Sequence, residues 1–378
     1  MRIILDDNGL HFRFAPLTLT RPLGELRMGI FTNSERWKFF DAGAEISYGT
    51  ESYLKPVFGR NDEAEVLINA AVIPNEELAV AVFSLGENEQ LLLGDQWIAK
   101  RGTGENRVEF TGVAPVYIEQ RWDLFLKNGI VLSADFDLVK AGRTSEPLSP
   151  TNILIGDPDL LFIEEGAIVE ASVINTTGGP VYIGKKSEVM EGSLVRGPFA
   201  LCDGGSLKMG SKVYGATTVG PQCRVGGEIN NVIFQAYSNK GHDGFLGNAV
   251  IGEWCNIGAD SNCSNLKNNY GAVSTYSYET QQEEETGIQF MGLIMGDHSK
   301  CAINTMFNTA TVVGVSANIF GAGFPAKHVP SFSWGGAEGF VSFRFDKAIE
   351  AAENMMARRG KKLTEAEIAV LRHIADQE

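Results

Sequence analysis

A six-residue spacing of aliphatic side chains constrains the fold of this chain more than any other feature. Eight consecutive positions at this spacing are aliphatic, namely Ile183, Val189, Val195, Leu201, Leu207, Val213, Val219 and Val225. Since only about 25–30% of residues in an ordinary chain are of this kind, a β-sandwich with chance spacing explains the run poorly. The spacing predicts a left-handed parallel β-helix, in which three short strands form each triangular coil and one aliphatic side chain per strand points inward.

The repeat also predicts where the chain leaves this solenoid. A single coil cannot bury its aliphatic side chains, so the coils must stack into a column, which we expect over residues 150–325. The 43 glycines suit corners that need positive φ. Two stretches break the period, Asn230–Gly244 and Leu266–Gly292, and we expect both to form loops outside the column. Long loops on a rigid scaffold often carry binding sites.

The segments on either side of the repeat have different patterns. In residues 1–145, short β-rich runs alternate with helix-like segments, which is typical of an α/β domain. The pattern of apolar residues in 340–378 predicts two helices, Phe345–Arg358 and Glu365–Asp376. Thr364 and Glu367 form a capping box at the start of the second helix. We expect these helices to cover the open end of the solenoid or to contact another chain.

Composition and charge exclude several classes of partner. The chain has 32 Lys and Arg against 47 Asp and Glu, a net charge of −15, which disfavours nucleic acid and anionic membrane surfaces. Its apolar runs are far shorter than the ~20 residues of a membrane span, and its first residues do not resemble a signal peptide. The five cysteines lack C-x-x-C spacing, as expected of reduced thiols. These features favour a cytoplasmic protein, and the sequence predicts no metal site.

One segment of the repeat carries a recognisable motif. It places His242, Phe245 and Gly247 before Asn256-Ile257-Gly258-Ala259, and Asn265 follows. This order resembles the acetyltransferase half of GlmU-type enzymes, which are bifunctional N-acetylglucosamine-1-phosphate uridylyltransferases and glucosamine-1-phosphate acetyltransferases. The resemblance covers roughly residues 150–320.

The resemblance implies a set of site residues. His242 would be the general base, because imidazole exchanges protons near neutral pH. Glu228, one coil earlier, would orient it, and Asn265 would complete the catalytic group. Asn256 and Phe245 would contact substrate, and the backbone at Ala259 would face acetyl-CoA, the acyl donor. Such solenoid enzymes generally work as trimers, so the resemblance implies a homotrimer with Asn265 near a subunit boundary.

The chain departs from the GlmU pattern where the sugar phosphate is held. Ile229, Asn230 and Asn231 follow Glu228 where that family has a basic residue. Arg196, Lys208 and Lys240 could supply a replacement positive charge. His298 is expected to be structural.

The amino-terminal domain bears a weaker resemblance to sugar-nucleotide pyrophosphorylases. Arg13 and the run Pro16-Leu17-Thr18-Leu19-Thr20-Arg21 match their substrate-binding segment, so Arg13 and Arg21 are candidate substrate ligands. The glycine-rich phosphate loop is reduced to Asn8-Gly9-Leu10-His11, and Leu23 replaces the phosphate lysine. Without these groups little stabilisation of phosphoryl transfer remains, so we interpret residues 1–145 as a degenerate, truncated nucleotidyltransferase-like domain.

Three functions stay open at this point. The first is CoA-dependent acyl transfer to an amino sugar, sugar phosphate or sugar nucleotide. The second is sugar-1-phosphate nucleotidylyl transfer in the amino-terminal domain, which would require Mg²⁺. The third is a non-catalytic module that binds sugar nucleotides.

Overall fold

A computed structural model describes residues 1–61 and 63–377, and its amino-terminal part is an α/β domain. A six-stranded sheet forms its centre, in the order Glu45–Gly49 (β4), Arg2–Asp6 (β1), Val66–Asn69 (β5), Gln96–Arg101 (β8), Glu89–Leu93 (β7) and Asn106–Glu109 (β9), with β1 parallel to β4 and β5. Thr32 and Glu35 form a capping box that begins the helix Asn33–Phe40 (α1), and Asn75 caps the helix Glu76–Phe83 (α2). The elements are β1 Arg2–Asp6, β2 Arg27–Met28, β3 Phe31–Thr32, α1 Asn33–Phe40, β4 Glu45–Gly49, β5 Val66–Asn69, β6 Val72–Ile73, α2 Glu76–Phe83, β7 Glu89–Leu93, β8 Gln96–Arg101, β9 Asn106–Glu109, β10 Val116–Tyr117 and α3 Asp123–Lys140.

The second part is the predicted left-handed parallel β-helix, which confirms the prediction from the six-residue repeat. Its strands are β11 Ile153–Ile155, β12 Leu161–Ile163, β13 Ile168–Val169, β14 Val173–Asn175, β15 Val181–Ile183, β16 Glu188–Val189, β17 Leu194–Arg196, β18 Phe199–Leu201, β19 Ser206–Leu207, β20 Lys212–Tyr214, β21 Thr217–Val219, β22 Arg224–Val225, β23 Glu228–Phe234, β24 Asn239–Lys240, β25 Phe245–Ile251, β26 Asn256–Ile257, β27 Asn262–Cys263, β28 Ser274–Ser277, β29 Gln282–Glu285, β30 Ile294–Met295, β31 Lys300–Cys301, β32 Met306–Phe307, β33 Val312–Val313, β34 Asn318–Ile319, β35 His328–Val329, β36 Ser333–Gly336 and β37 Gly339–Ser342. Two helices follow, α4 Phe345–Ala357 and α5 Glu365–Ala375, as the sequence predicts.

The coils present three faces. Face A contains β11, β14, β17, β20 and the first halves of β23 and β25. Face B contains β12, β15, β18, β21, the second halves of β23 and β25, and then β30, β33 and β35. Face C runs from β13 through β16, β19, β22, β24, β26, β31 and β34 to β36. The inward side chains of the three faces form the aliphatic interior of the prism.

The two interruptions of the repeat have different outcomes. The prediction that Asn230–Gly244 leaves the column is wrong, because β23 and β24 pair in parallel with neighbouring coils. The register aligns Val225 with Lys240, so this coil contains fewer residues than its neighbours. The shortened coil stays in the column but interrupts the six-residue period. The second stretch does leave the column, and within it β28 and β29 form an antiparallel hairpin.

Helices of the same chain pack on face B and on the later coils of face C. Leu132, Phe136 and Val139 of α3 pack on Phe162 and Tyr182 of face B. Helix α3 runs to Lys140 through Asn128, which is buried and donates a hydrogen bond to the Ala216 carbonyl oxygen of the solenoid. Over the described residues, no helix is both long and apolar enough to cross a membrane.

Helix α4 lies along face C, whereas the sequence predicted either a cover for the open end of the solenoid or a contact with another chain. Its early residues border a groove with Asn318 and Trp334 in the last coils. Arg359, just beyond the end of the helix, reaches the Gln222 carbonyl in the middle of the solenoid. The helix therefore spans several coils and does not cap the last one.

Apolar contacts hold α4 in this place. Its residue Ala348 belongs to one buried apolar group with Leu371 of α5, Leu54 of the amino-terminal domain and Phe332 of the solenoid. Residues from both domains therefore fix the position of α4.

Candidate active site

A cleft of about 470 Å³ lies between face C and helix α4, and three of the predicted site residues line it. His242 lies at its edge on the corner between faces C and A, Asn256 projects from β26, and Ala259 lies in the next turn. Tyr237 and Trp254, stacked with ring centroids 4.2 Å apart, form part of the wall. The α4 side contributes Met355, Arg358 and Arg359, and neither arginine was predicted from the sequence to belong to the site.

This cleft, here called the basic cleft, is strongly cationic. Its described lining residues include Lys208, Arg224, Arg358 and Arg359 and no acidic side chain, although the whole chain has a net charge of −15. Burial and the nearby guanidiniums of Arg224 and Arg358 lower the pKa of Arg359. Like charges crowded at one place repel each other, so the cleft is electrostatically suited to an anion.

The side chain of His242 is accessible at the edge of the basic cleft. Its side chain is exposed in the turn between β24 and β25. It has no side-chain hydrogen bond within the described part of the chain, so both ring nitrogens are available. A solvent-accessible imidazole at the edge of a cationic cleft can accept and return a proton.

Glu228 and Phe245 lie beyond this corner, on face A. They are direct neighbours in the register of β23 and β25. The Glu228 carboxylate accepts a hydrogen bond from the Tyr214 hydroxyl at 2.6 Å, and none joins it to His242 among the described residues. Asn265 lies outside the cleft and donates to the Asn248 side chain at 2.7 Å. The structure therefore does not assemble His242, Glu228 and Asn265 into one hydrogen-bonded group.

Lys240 does not provide the expected substrate contact. Its side chain is 1% exposed, inside the prism, and its ammonium donates to the carbonyl oxygens of Gly226 and His242 at 3.1 and 2.9 Å. An inward strand position and a shortened coil place this lysine in the interior, where a substrate cannot reach it.

The two arginines predicted to bind a nucleotide substrate form ion pairs with the solenoid domain. Arg21 is buried and donates to Glu253 at 2.5 Å and to Asp297. Burial alone would lower the pKa of this guanidinium, but the two carboxylates more than offset that effect and raise it. Arg13 makes a bidentate pair with Glu279, at 3.0 and 3.1 Å, near the surface. Both side chains are thus occupied by protein carboxylates.

A second cleft, of about 300 Å³, lies where β1 and β4 end in the amino-terminal domain. In parallel sheets ligands commonly bind at such strand ends. However, Asp6, Asp7 and Glu51 line it together with Lys55 and Arg60, so a triphosphate would meet three carboxylates as well as two cations. The Asp7 carboxylate is already hydrogen-bonded to the Thr50 hydroxyl at 2.6 Å and to His11 Nδ1 at 2.9 Å.

The remaining candidates for chemistry are structural. His298 is buried against Trp254, and burial lowers its pKa to about 3, so it is neutral. All five cysteines are unpaired and buried. Within residues 1–61 and 63–377, no three His, Cys, Asp or Glu side chains come together in a way that could hold a metal ion.

Comparisons with known proteins agree with the resemblance seen in the motifs. Residues 2–144 match the model of a family described as sugar nucleotidyl transferase. The bifunctional protein GlmU of Rippkaea orientalis (strain PCC 8801 / RF-1) is 25% identical over 224 residues, which cover 54% of this chain and 42% of GlmU. The chain therefore spans less than half the length of this curated relative. The GlmU-like character predicted from the sequence is confirmed at this level of similarity.

Solved structures with some likeness include two acyltransferases of low sequence identity. The polysialic acid-specific acetyltransferase NeuO is 13% identical, with a TM-score of 0.29, over 56% of this chain and 94% of its own. An Arabidopsis UDP-N-acetylglucosamine acyltransferase is 14% identical, with a TM-score of 0.28, over 56% of this chain and 74% of its own.

Proposed function

We propose that this protein is an acyltransferase that binds an acyl-CoA, such as acetyl-CoA, in the basic cleft and acylates a sugar-derived amine or hydroxyl. The observation that carries the proposal is the placement of His242 beside four cations in an otherwise acidic chain. Coenzyme A carries a pyrophosphate and a further phosphate, which basic side chains bind by charge-assisted hydrogen bonds. A volume of about 470 Å³ lies within the range of small-molecule sites.

His242 would act as the general base in this reaction. As the acceptor nitrogen or oxygen forms its bond to the acyl carbon, the imidazole takes the proton from that atom. The bond between the acyl carbon and sulfur then breaks, and the proton passes to the departing thiolate. Asn256 and the backbone at Ala259, which line the same cleft, would hold the acyl group beside His242.

The acceptor would approach from face A, on the other side of the His242 corner. Glu228, Tyr214 and Phe245 lie there, and a carboxylate and a hydroxyl suit the hydroxyl and amino groups of a sugar. In this arrangement Glu228 contacts the acceptor, and His242 acts without an orienting carboxylate. An amino sugar, a sugar phosphate or a sugar nucleotide fits this class of acceptor.

The first test of the proposal concerns the cations of the cleft. Arg224→Gln removes a charge from strand β22 without altering the prism. We expect KM for acetyl-CoA to rise about tenfold, because this is the effect of losing one charge-assisted hydrogen bond. The value of kcat should change little. Arg107→Gln, an exposed arginine on β9, is the matched control and should leave KM unchanged. Equal KM values for Arg224→Gln and wild type would contradict acyl-CoA binding in this cleft.

We further propose that the protein is a homotrimer joined through the first coils of face A, between β11 and β17, which leaves the acceptor side of β23 and β25 outside the contact. Helix α3 covers face B and α4 covers the later coils of face C, whereas Ile153, Ile155 and Leu194 of face A are between 44% and 59% exposed. Apolar side chains exposed together in this way are typical of protein interfaces. Light scattering should give three times the 41.0 kDa mass of the chain, and Leu194→Asp should lower it. A monomer mass for the wild-type protein would contradict the proposal.

Nucleotidylyl transfer is the second candidate, and the family match over residues 2–144 favours it. Its site would be the cleft at the ends of β1 and β4, where Lys55 is a cation available for phosphate. This function requires Mg²⁺-dependent release of pyrophosphate from a nucleoside triphosphate and a sugar phosphate, and the release should fall with Lys55→Gln. Absence of release with all four common triphosphates would remove this candidate.

A further inference from the structure

One position in the aliphatic column of face C is occupied by a lysine. The inward side chains of successive coils are Val189, Leu207 and Val225, and the register then brings Lys240 into the same column. Ile257 follows in the next coil. Lys240 is 1% exposed and thus has the burial of the aliphatic residues around it.

The ammonium group of Lys240 binds the loop that carries His242. It donates to the carbonyl oxygens of Gly226, His242 and Asp243 at 3.1, 2.9 and 3.4 Å. An ammonium has three protons, so these three acceptors use its full capacity. The bonds connect the loop of residues 241–244 to the preceding coil from inside the prism.

The surrounding backbone leaves room for this arrangement. Gly227 has a φ of +78°, and a side chain there would bring its Cβ to 2.9 Å from the Lys240 Nζ and 2.8 Å from the His242 carbonyl oxygen. Any other residue at 227 would therefore displace either the ammonium or the loop.

The lysine is unfavourable for the stability of the column. Burial lowers its pKa to about 8, an effect that Asp243, Cys301 and Asp260 offset only in part. An aliphatic side chain at this position would avoid the desolvation of a charge, as its neighbours in the column do. Compared with an aliphatic residue, the lysine provides only one thing more, the hydrogen bonds from its ammonium to the loop that carries His242.

We propose that Lys240 is a positioning residue that fixes the His242 loop from inside the prism and so sets the rate of the proposed acyl transfer. This inference rests on the proposed role of His242 as the base. Lys240 does not contact substrate, and its effect passes entirely through the backbone of residues 241–244.

The rate of acyl transfer should depend on pH through Lys240. As the pH rises through about 8, the ammonium becomes an amine with two donors for three acceptors, so kcat should fall along an alkaline limb near pH 8. Asp243, Asp260 and the Cys301 thiol face this group, and burial raises the pKa of that thiol. The pKa of Lys240 is lower in the folded protein than the 10.5 of free lysine, so the contribution of this group to the free energy of unfolding rises with pH between these values. Loss of the Lys240 proton therefore does not itself destabilise the fold, and the melting temperature of the wild type across this pH range separates global unfolding from an effect on the loop.

The test compares Lys240→Met with Lys300→Met. Lys300 lies on the same face, and its ammonium holds the His298 carbonyl at 2.9 Å, away from the His242 loop. We expect Lys240→Met to lower kcat at least tenfold, to change KM for acetyl-CoA less than twofold and to remove the alkaline limb. Hydrogen–deuterium exchange at residues 241–244 should become faster. Lys300→Met should show none of these changes.

A second apolar variant, Lys240→Leu, separates an effect on the loop from a failure to fold. Melting temperatures at or above that of the wild type show that both apolar variants fold. Unchanged kcat and unchanged exchange at residues 241–244 would overturn the role of Lys240, whereas His242→Gln would still test the base. If the wild type transfers no acyl group, the proposed function fails, and exchange at the loop still decides whether Lys240 holds it.

Discussion

Replacing His242 with glutamine should lower kcat for acyl transfer by about 10²–10⁴-fold, the usual contribution of a general base. Glutamine keeps a polar side chain of similar length but cannot take the proton from the acceptor. Since the His242 side chain is exposed and makes no hydrogen bond among the described residues, the melting temperature should not change. The rate is measured as thiol release from acetyl-CoA with a panel of amino sugars and sugar phosphates.

The control for this variant is His373→Gln. His373 is exposed on α5 and stacks on Tyr53, away from the basic cleft, so its replacement should leave kcat unchanged. A kcat for His242→Gln within about twofold of the wild-type value would remove His242 from the mechanism.

The second large effect is expected at the junction of the two domains. Arg21→Ala should lower the free energy of unfolding by about 3–5 kcal/mol, because it leaves Glu253 and Asp297 without the counter-ion that compensates their burial. Asp297 is almost fully buried and also accepts a hydrogen bond from Thr20 at 2.8 Å. Urea unfolding followed by circular dichroism gives the free energy.

Arg13→Ala is the matched control for the junction. Its bidentate pair with Glu279 also joins the two domains, but both side chains are about one-third exposed or more, so the loss should be below about 1 kcal/mol. If the two variants lose the same stability, Arg21 is not the buried link between the domains, and its assignment as a substrate ligand regains support.

The solenoid could be predicted from the sequence because its packing rule is local. Residues such as Leu207 and Val225 recur at a fixed spacing, and each needs only its neighbours in the column. The rule failed at Asn230–Gly244, where a shorter coil puts Lys240 in register with Val225. A lysine at an inward position interrupts the aliphatic pattern, so the sequence suggests that the repeat has ended. The backbone carbonyl oxygens that make its burial possible cannot be predicted from the spacing.

The candidate site could be predicted only in part. The motif gave His242, Asn256 and Ala259, which the structure brings to one cleft. It could not give Arg358 and Arg359, because nothing local indicates that α4 returns along face C. A pair of arginines at the end of an amphipathic helix in an acidic chain was the available signal.

The roles of Arg13 and Arg21 could not be predicted for a related reason. Their partners, Glu279, Glu253 and Asp297, are more than 200 residues away in the sequence. An arginine in a motif that binds phosphate in other proteins cannot be distinguished, from one sequence alone, from an arginine that pairs with a carboxylate far away in the chain. Only the three-dimensional contacts distinguish them.

The most direct test of the proposed function is a crystal structure of the protein with acetyl-CoA. We predict electron density between face C and α4, with the phosphates beside Arg224 and Arg358 and the thioester next to the His242 imidazole. Density on another face of the solenoid, or an empty cleft at a saturating concentration of acetyl-CoA, would contradict the assignment of this cleft as the acyl-donor site.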